Sequence, residues 1–213
     1  MNDSIFFDLD GTLTDPRPGI VRSIRYAMER LQVECPDDDD LTWCIGPPLL
    51  ESFSKLVGEQ LAATALEHYR ERFSDCGWSE NAPYDGIFDA LNNLQDSGYR
   101  LYVATSKPHV FAQRIVGHFG FDTYFGHVFG SELDGTRSVK GDLLRFAVSR
   151  IGAARTMAMV GDRMHDVLGA KHIGIRSVGV TWGYGSRQEL EDAGADAIIT
   201  RPAQLAHQFR STA

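Results

Sequence analysis

The chain has only three cysteines, Cys35, Cys44 and Cys76, an odd number in no C-x-x-C spacing. That excludes a disulfide framework, argues against a thiolate zinc site and fits reduced thiols. No apolar run approaches the ~20 residues needed to span a bilayer. The N-terminus lacks the basic and long apolar regions of a secretory signal, so the expected location is cytoplasmic, with no membrane partner. Positive charge is in deficit: 21 Lys and Arg stand against 29 Asp and Glu, a formal net charge of −8. A protein that coats nucleic acid polymers or anionic membranes needs the opposite balance. Small phosphate ligands, which need only a local positive site, are left open. There is no internal repeat and no low-complexity segment.

What is present is an α/β alternation over 213 residues, enough for one large domain or a domain with an insert. Short apolar strands are expected at 4–7, 100–104, 156–160, 177–180 and 197–199, separated by helical stretches, which is the pattern of a parallel sheet. The first three end in polar clusters: Asp8 and Asp10, then Thr105-Ser106-Lys107, then Gly161-Asp162. Parallel sheets place ligands at the carboxyl ends of their strands, so three such clusters point to one site assembled from distant sequence.

The stretch from Asp15 to Tyr84 differs. It shows no convincing strand and three amphipathic faces, Ile20, Ile24, Ala27 and Leu31, then Phe53, Leu56 and Val57, then Leu61, Ala65, Leu66, Tyr69 and Phe73. It reads as a helical insertion after the first strand, with Pro83 to Gly86 as the return hinge. The acidic run Asp37 to Asp40 reads equally as the start of a helix or as a solvated loop.

Asp8-x-Asp10-Gly11-Thr12 directly follows Ile5-Phe6-Phe7. Two carboxylates at the mouth of a buried strand are costly without a partner or a metal. One can serve as nucleophile and the other as general acid and base, and both are close enough to share a cation. Thr105 and Ser106 close a strand where a hydroxyl can bond a phosphoryl oxygen, the plainer alternative being a helix N-cap. Lys140, just before the expected helix at Gly141-Asp142, would complement an anion and relieve repulsion among the acids. Asp162 and Asp166, four apart after the strand Met157 to Val160, would share a helix face and suit a hard cation such as Mg²⁺ better than zinc. Helix capping by Asp162 is the bland alternative. His165 reads as peripheral to such a metal or exposed, and Gly183-Tyr184-Gly185 as a plain turn in preference to a phosphate loop, since glycine adopts positive φ cheaply.

Taken together, the four elements make the sequence resemble the haloacid dehalogenase superfamily of phosphatases, in which they occur in this order. The resemblance implies a Rossmann-like parallel sheet with helices on both faces, a core domain at 1–14 and 85–213, and a small all-helical cap domain at 15–84. It implies that Asp8 forms an aspartyl-phosphate, that Asp10 protonates the leaving oxygen and then activates water, that Thr105, Ser106 and Lys140 bind the phosphoryl group, and that Asp8, Asp10 through its backbone carbonyl, Asp162 and Asp166 hold Mg²⁺. Three positions depart from the family pattern: Ser106 where Asn is frequent, Arg163 where a small residue is frequent, and Gly141 where proline is common.

Within the superfamily the likeness is to the phosphoglycolate-phosphatase-like group and, through Leu13-Thr14-Asp15-Pro16, Ile45-Gly46-Pro47-Pro48-Leu49 and Thr181-Trp182-Gly183-Tyr184-Gly185, to its bacterial 5′-nucleotidase branch. The loop holding Gly46 resembles the cap segment that reaches toward substrate, and Trp43 beside it is a packed cap aromatic or a nucleobase platform. The expected partner is therefore a small phosphate ester, first a nucleoside 5′-monophosphate and second phosphoglycolate. A sugar phosphomutase needs the same two aspartates. A dehalogenase has no use for Asp10, and neither has a binding module that retains only a phosphate pocket.

Overall fold

Ile5, Phe6 and Phe7 are buried on both faces of their strand, which is what an uninterrupted apolar triplet requires and what only a central parallel strand supplies. The computed structural model describes residues 3–152 and 154–209. In chain order it contains β1 (Ser4–Phe7), β2 (Thr14–Asp15), α1 (Arg17–Leu31), α2 (Leu49–Val57), α3 (Glu59–Asp75), β3 (Ala82–Pro83), α4 (Ile87–Asp96), β4 (Arg100–Pro108) and α5 (His109–His118). There follow β5 (Phe125–Ser131), α6 (Lys140–Ile151), β6 (Met157–Gly161), α7 (Met164–His172), β7 (Arg176–Val180), α8 (Arg187–Ala193), β8 (Ala197–Ile199) and α9 (Leu205–Phe209). The chain divides into two units, one from Met1–Thr14 with Pro83–Ala213 and the other from Asp15–Ala82.

The first unit holds a six-stranded sheet in the order β5-β4-β1-β6-β7-β8, parallel throughout. One face of the sheet presents Phe6, Tyr102, Ala104, Phe129 and Met159 to Leu143, Leu144 and Ala147 of α6 and Ala170 of α7. On the other, the Phe7 ring meets Phe125 at 5.9 Å, and Phe121 in turn stacks on Phe88 of α4 at 4.7 Å. The expected α/β architecture is thus the one observed. No helix among the described residues is long and apolar enough to cross a membrane.

One strand of the sheet was not expected. β5 reads Phe-Gly-His-Val-Phe-Gly-Ser, and its two glycines break the apolar pattern. They are there for space: a Cβ on Gly130 would lie 2.6 Å from the His109 Cα, and one on Gly126 would lie 3.3 Å from the Tyr102 ring. β4 also runs past Ala104 to Pro108, with a register shift against β5 between Thr105 and Pro108.

The second unit is helical. Ile20, Ile24 and Ala27 of α1, Phe53 of α2, and Ala65, Tyr69 and Phe73 of α3 are buried, as their spacing predicts. Leu61 is exposed, and Ala62, one residue on, is buried in its place in step with Ala65, Tyr69 and Phe73. The acidic run opens a short 3₁₀ helix, Asp39–Cys44, in which Arg17 pairs with Asp39 and Arg25 with Asp38. Two-residue β2 and β3, too short to show in a sequence pattern, pair with each other.

Phe6 is fully buried at the centre of the sheet. Phe6→Ala is expected to destabilise the protein by about 3–5 kcal/mol, measured by urea denaturation, because the surrounding sheet and helices cannot collapse into the space.

Candidate functional site

The register of the three central strands builds the site. Phe7 aligns with Val103 on one side and with Val160 on the other, so the residues that follow, Asp8, Ala104-Thr105 and Gly161-Asp162, emerge side by side at the carboxyl edge. The Asp8 amide continues the ladder by donating to the Val160 carbonyl at 2.9 Å. Asp8, Asp162 and Asp166 are all buried, and one carboxylate oxygen from each lies within 4.8 Å of the others.

Lys140, the first residue of α6, is 4% exposed. Its ammonium donates to the Ala104 carbonyl at 2.8 Å and pairs with Asp8 Oδ1 at 3.0 Å and Asp166 Oδ1 at 2.8 Å. Three oxygens thus lie within 3.0 Å of the ammonium. Burial by itself would pull this ammonium down, but Asp166 and Asp8 hold it above the ordinary lysine value. The stem of Lys140 packs against Gly169, where a Cβ would come within 2.7 Å of the Lys140 Cγ.

Asp162 does not cap α7. Arg163 stands at the N-cap, and its amide donates to Asp166 Oδ2 at 3.1 Å. Asp162 instead accepts from Thr12 Oγ1 at 3.1 Å and from the Tyr184 amide at 2.8 Å. The two acids do not share a helix face as their spacing suggested. Asp162 sits in the turn before α7 and Asp166 within it, and the turn folds them together. Burial, then repulsion from Asp166 and Asp8, pushes the Asp162 carboxyl up to about 8. Burial raises Asp166 also, against the pull of Lys140. Three buried carboxylates thus face one ammonium, and a divalent cation with oxygen preference matches both the donor set and the missing charge.

Glycines surround Asp162 for want of space. A Cβ on Gly11 would lie 2.3 Å from Asp162 Oδ2, on Gly183 2.5 Å from the same oxygen, and on Gly185 1.8 Å from the Asp162 carbonyl oxygen. Gly183 and Gly185 are absent from the positive-φ residues, so close approach to Asp162 is what calls for glycine in the loop after β7. The loop is a close-packed wall for Asp162.

Thr105 is buried, and its Oγ1 accepts from the Lys107 amide at 3.2 Å, which leaves the hydroxyl proton to give. It caps no helix, since Pro108 holds the N-cap of α5. The Ser106 hydroxyl donates to the Ser138 carbonyl at 2.9 Å and the Ser106 carbonyl accepts from Ser131 Oγ at 2.8 Å. Ser106 thereby braces the loop leading to Lys140, and a donor from Ser106 to a phosphate would be its backbone N–H. Gly46 lies in the helical unit with φ of 109°, and Trp43 there is 37% exposed with the Lys55 ammonium 5.5 Å from its ring centre.

Asp10 stands apart from the three-carboxylate group. Its Oδ2 forms an ion pair with Lys107, whereas Oδ1 is buried without a hydrogen-bond partner. Burial raises the Asp10 carboxyl, with Lys107 opposing. Lys107 was visible in the sequence only as part of a polar strand end. Thr12 reads in the sequence only as the hydroxyl closing the Asp8-x-Asp10-Gly11-Thr12 run, with no role assigned, and it is a direct partner of Asp162.

A family model described as haloacid dehalogenase-like hydrolase matches residues 5–180. Over 190 residues the chain is 51% identical to a 5′-nucleotidase of Pseudomonas aeruginosa, covering 88% of this chain and 86% of that protein. It is 40% identical over 202 residues to the tyrosine-protein kinase PtkA of Mycobacterium tuberculosis, covering 94% of this chain and 69% of that one. Its fold is similar to that in a crystal structure of a predicted phosphatase from Clostridium acetobutylicum, with a TM-score of 0.92, 40% identity and 98% of each chain covered.

Because Asp162 carries its charge at a cost in the folded protein, the folded state binds more protons than the unfolded state between about pH 4 and the Asp162 value of about 8. Chelator-treated protein should therefore lose stability as pH rises through that window. Asp162→Asn, kept metal-free, is expected to be more stable than the wild type at pH 8 by at least about 1 kcal/mol, and no more stable at pH 4, in paired thermal melts.

Proposed function

Because the chain belongs to the haloacid dehalogenase-like hydrolases, in the phosphatase part of that family, we propose that it is a cytoplasmic phosphomonoesterase acting on nucleoside 5′-monophosphates through an aspartyl-phosphate. One observation carries the reading: Asp8 ends the central strand with the Lys140 ammonium 3.0 Å away, and two residues on Asp10 keeps one buried oxygen without a partner. A nucleophile and a proton carrier are thus held on one short segment.

Asp8 attacks phosphorus and the ester P–O bond breaks, while the protonated Asp10 gives its proton to the leaving oxygen. Asp10 then takes a proton from water as the water oxygen attacks phosphorus. The bond from Asp8 to phosphorus breaks, and inorganic phosphate leaves with Asp8 and Asp10 restored. Thr105 donates its hydroxyl to the phosphoryl group, with the Ser106 N–H beside it, and Lys140 holds Asp8 in place and offsets its charge. Asp8, Asp162, Asp166 and the Asp10 carbonyl would hold Mg²⁺, which supplies charge neutralisation to the phosphoryl oxygens when bound. The nucleotide preference rests on likeness to the 5′-nucleotidase at 51% identity. Leaving-group choice, with Gly46 and Trp43 as its candidates, belongs to the helical unit.

Asp8→Asn is expected to abolish turnover, and Asp10→Asn to lower kcat by about 10²–10⁴ while Mg²⁺ binding persists by calorimetry. Near-normal activity of Asp8→Asn would overturn the covalent route. The substrate is tested by phosphate release from nucleoside 5′-monophosphates, phosphoglycolate and sugar phosphates, with Mg²⁺ and with EDTA. A preference for phosphoglycolate, or isomerisation of a hexose phosphate without phosphate release, would replace the nucleotidase reading. The similarity to PtkA adds ATP with a tyrosine peptide to the panel. Phosphate on the peptide in place of free phosphate would replace hydrolysis.

A further inference from the structure

Lys107 is a buried charged group at a strand end that the preceding mechanism does not use. It lies where β4 departs from regular pairing, in the register shift between Thr105 and Pro108. Such an irregularity re-aims side chains that a regular strand would alternate between its faces. Here Ser106 braces Ser138 and Lys107 reaches Asp10. The Lys107 side chain is 6% exposed and that of Asp10 is 11% exposed, so this is a buried pair. Surface pairs of this kind contribute little to position, whereas a buried one is lost only at a large cost.

The two lysines take different acids. Lys140 is occupied by Asp8, Asp166 and the Ala104 carbonyl. Lys107 takes Asp10, and takes it by one oxygen only. Asp10 Oδ1 is left buried and without a hydrogen-bond partner. A carboxylate on a free χ2 rotor would present either oxygen to a substrate. Anchored by Oδ2, it presents one.

We propose that Lys107 is the positioning residue of the acid/base: its ammonium anchors Asp10 by Oδ2, so that Oδ1 is the oxygen that delivers and collects the proton. The inference rests on the reading of Asp10 as proton carrier. It assigns Lys107 no contact with the substrate.

The test is a double-mutant cycle of Lys107→Met and Asp10→Asn in the full chain, with Lys107→Arg as the conservative variant. Steady-state kcat and KM are measured with a nucleoside 5′-monophosphate and with p-nitrophenyl phosphate. Lys107→Met is expected to lower kcat about 10–100-fold with KM within about twofold of wild type. Lys107→Arg should recover most of the loss. The double variant should be no slower than Asp10→Asn alone, since a residue acting through Asp10 has nothing left to position. Fully additive losses, a raised KM at unchanged kcat, or wild-type kcat in Lys107→Met would each overturn the proposal, the second by making Lys107 a substrate ligand. If Lys107→Met does not fold by circular dichroism, Lys107→Gln and Lys107→Arg carry the same cycle. Failure of the hydrolase reading itself shows elsewhere, as a wild-type protein that hydrolyses neither ester.

Discussion

Three acids are buried at one edge of the sheet, and a single ammonium pairs with two of them. Lys140 forms ion pairs with Asp8 and Asp166 and donates to a backbone carbonyl. Ionised carboxylates at this depth would otherwise protonate or separate, since burying an unpaired charge costs several kcal/mol. The position of α6 follows from this need: its first residue has to arrive beside the end of β1. The close approach of its stem to Gly169 brings α7, and with it Asp166, into the same cluster. Burial raises the Asp162 carboxyl, and because one ammonium does not neutralise three carboxylates, the charge deficit adds to that rise. A divalent cation would remove the deficit, so the acid pocket is unfavourable to folding when empty of metal and suited to binding one.

The same crowding explains the glycines. Gly11, Gly161, Gly183 and Gly185 all stand where a methyl group would strike Asp162 or Asp166. Of these only Gly11 also has a positive φ. The others give backbone room to close around the acids. Four segments distant in sequence, at 8–12, 104–107, 161–166 and 182–185, come together, and the hydrogen bond from the Trp182 indole to the Thr12 carbonyl at 3.0 Å ties the first to the last.

Much of this was legible before any coordinates. Apolar triplets followed by acids mark buried strands that end in a site, and Ser4–Phe7 and Ala197–Ile199 fall at their expected bounds. β5 was hidden because Gly126 and Gly130 serve the packing of neighbours far along the chain, which leaves no local signature. The spacing of Asp162 and Asp166 suggested a shared helix face, and they meet for a different reason, a turn that folds the first back on the second. Leu61 shows the same limit in a helix: periodicity locates the buried stripe but not the turn at which it begins.

By itself the sequence determined the class of chemistry. Two aspartates two residues apart, a strand-end threonine, a lysine and a second pair of aspartates are residue identities in a fixed order, and identity and order survive in a one-dimensional string. Only the tertiary structure decided which charge meets which. It assigned Lys140 to Asp8 and Asp166, Lys107 to Asp10, Thr12 to Asp162, and Ser106 to a bracing bond in place of a free hydroxyl. Those pairings depend on strand register and on the irregular end of β4, which arise from contacts between residues as far apart in sequence as Ser4 and Met157. No local pattern encodes such contacts, because the physical quantity that selects them is the cost of leaving a buried charge without its partner.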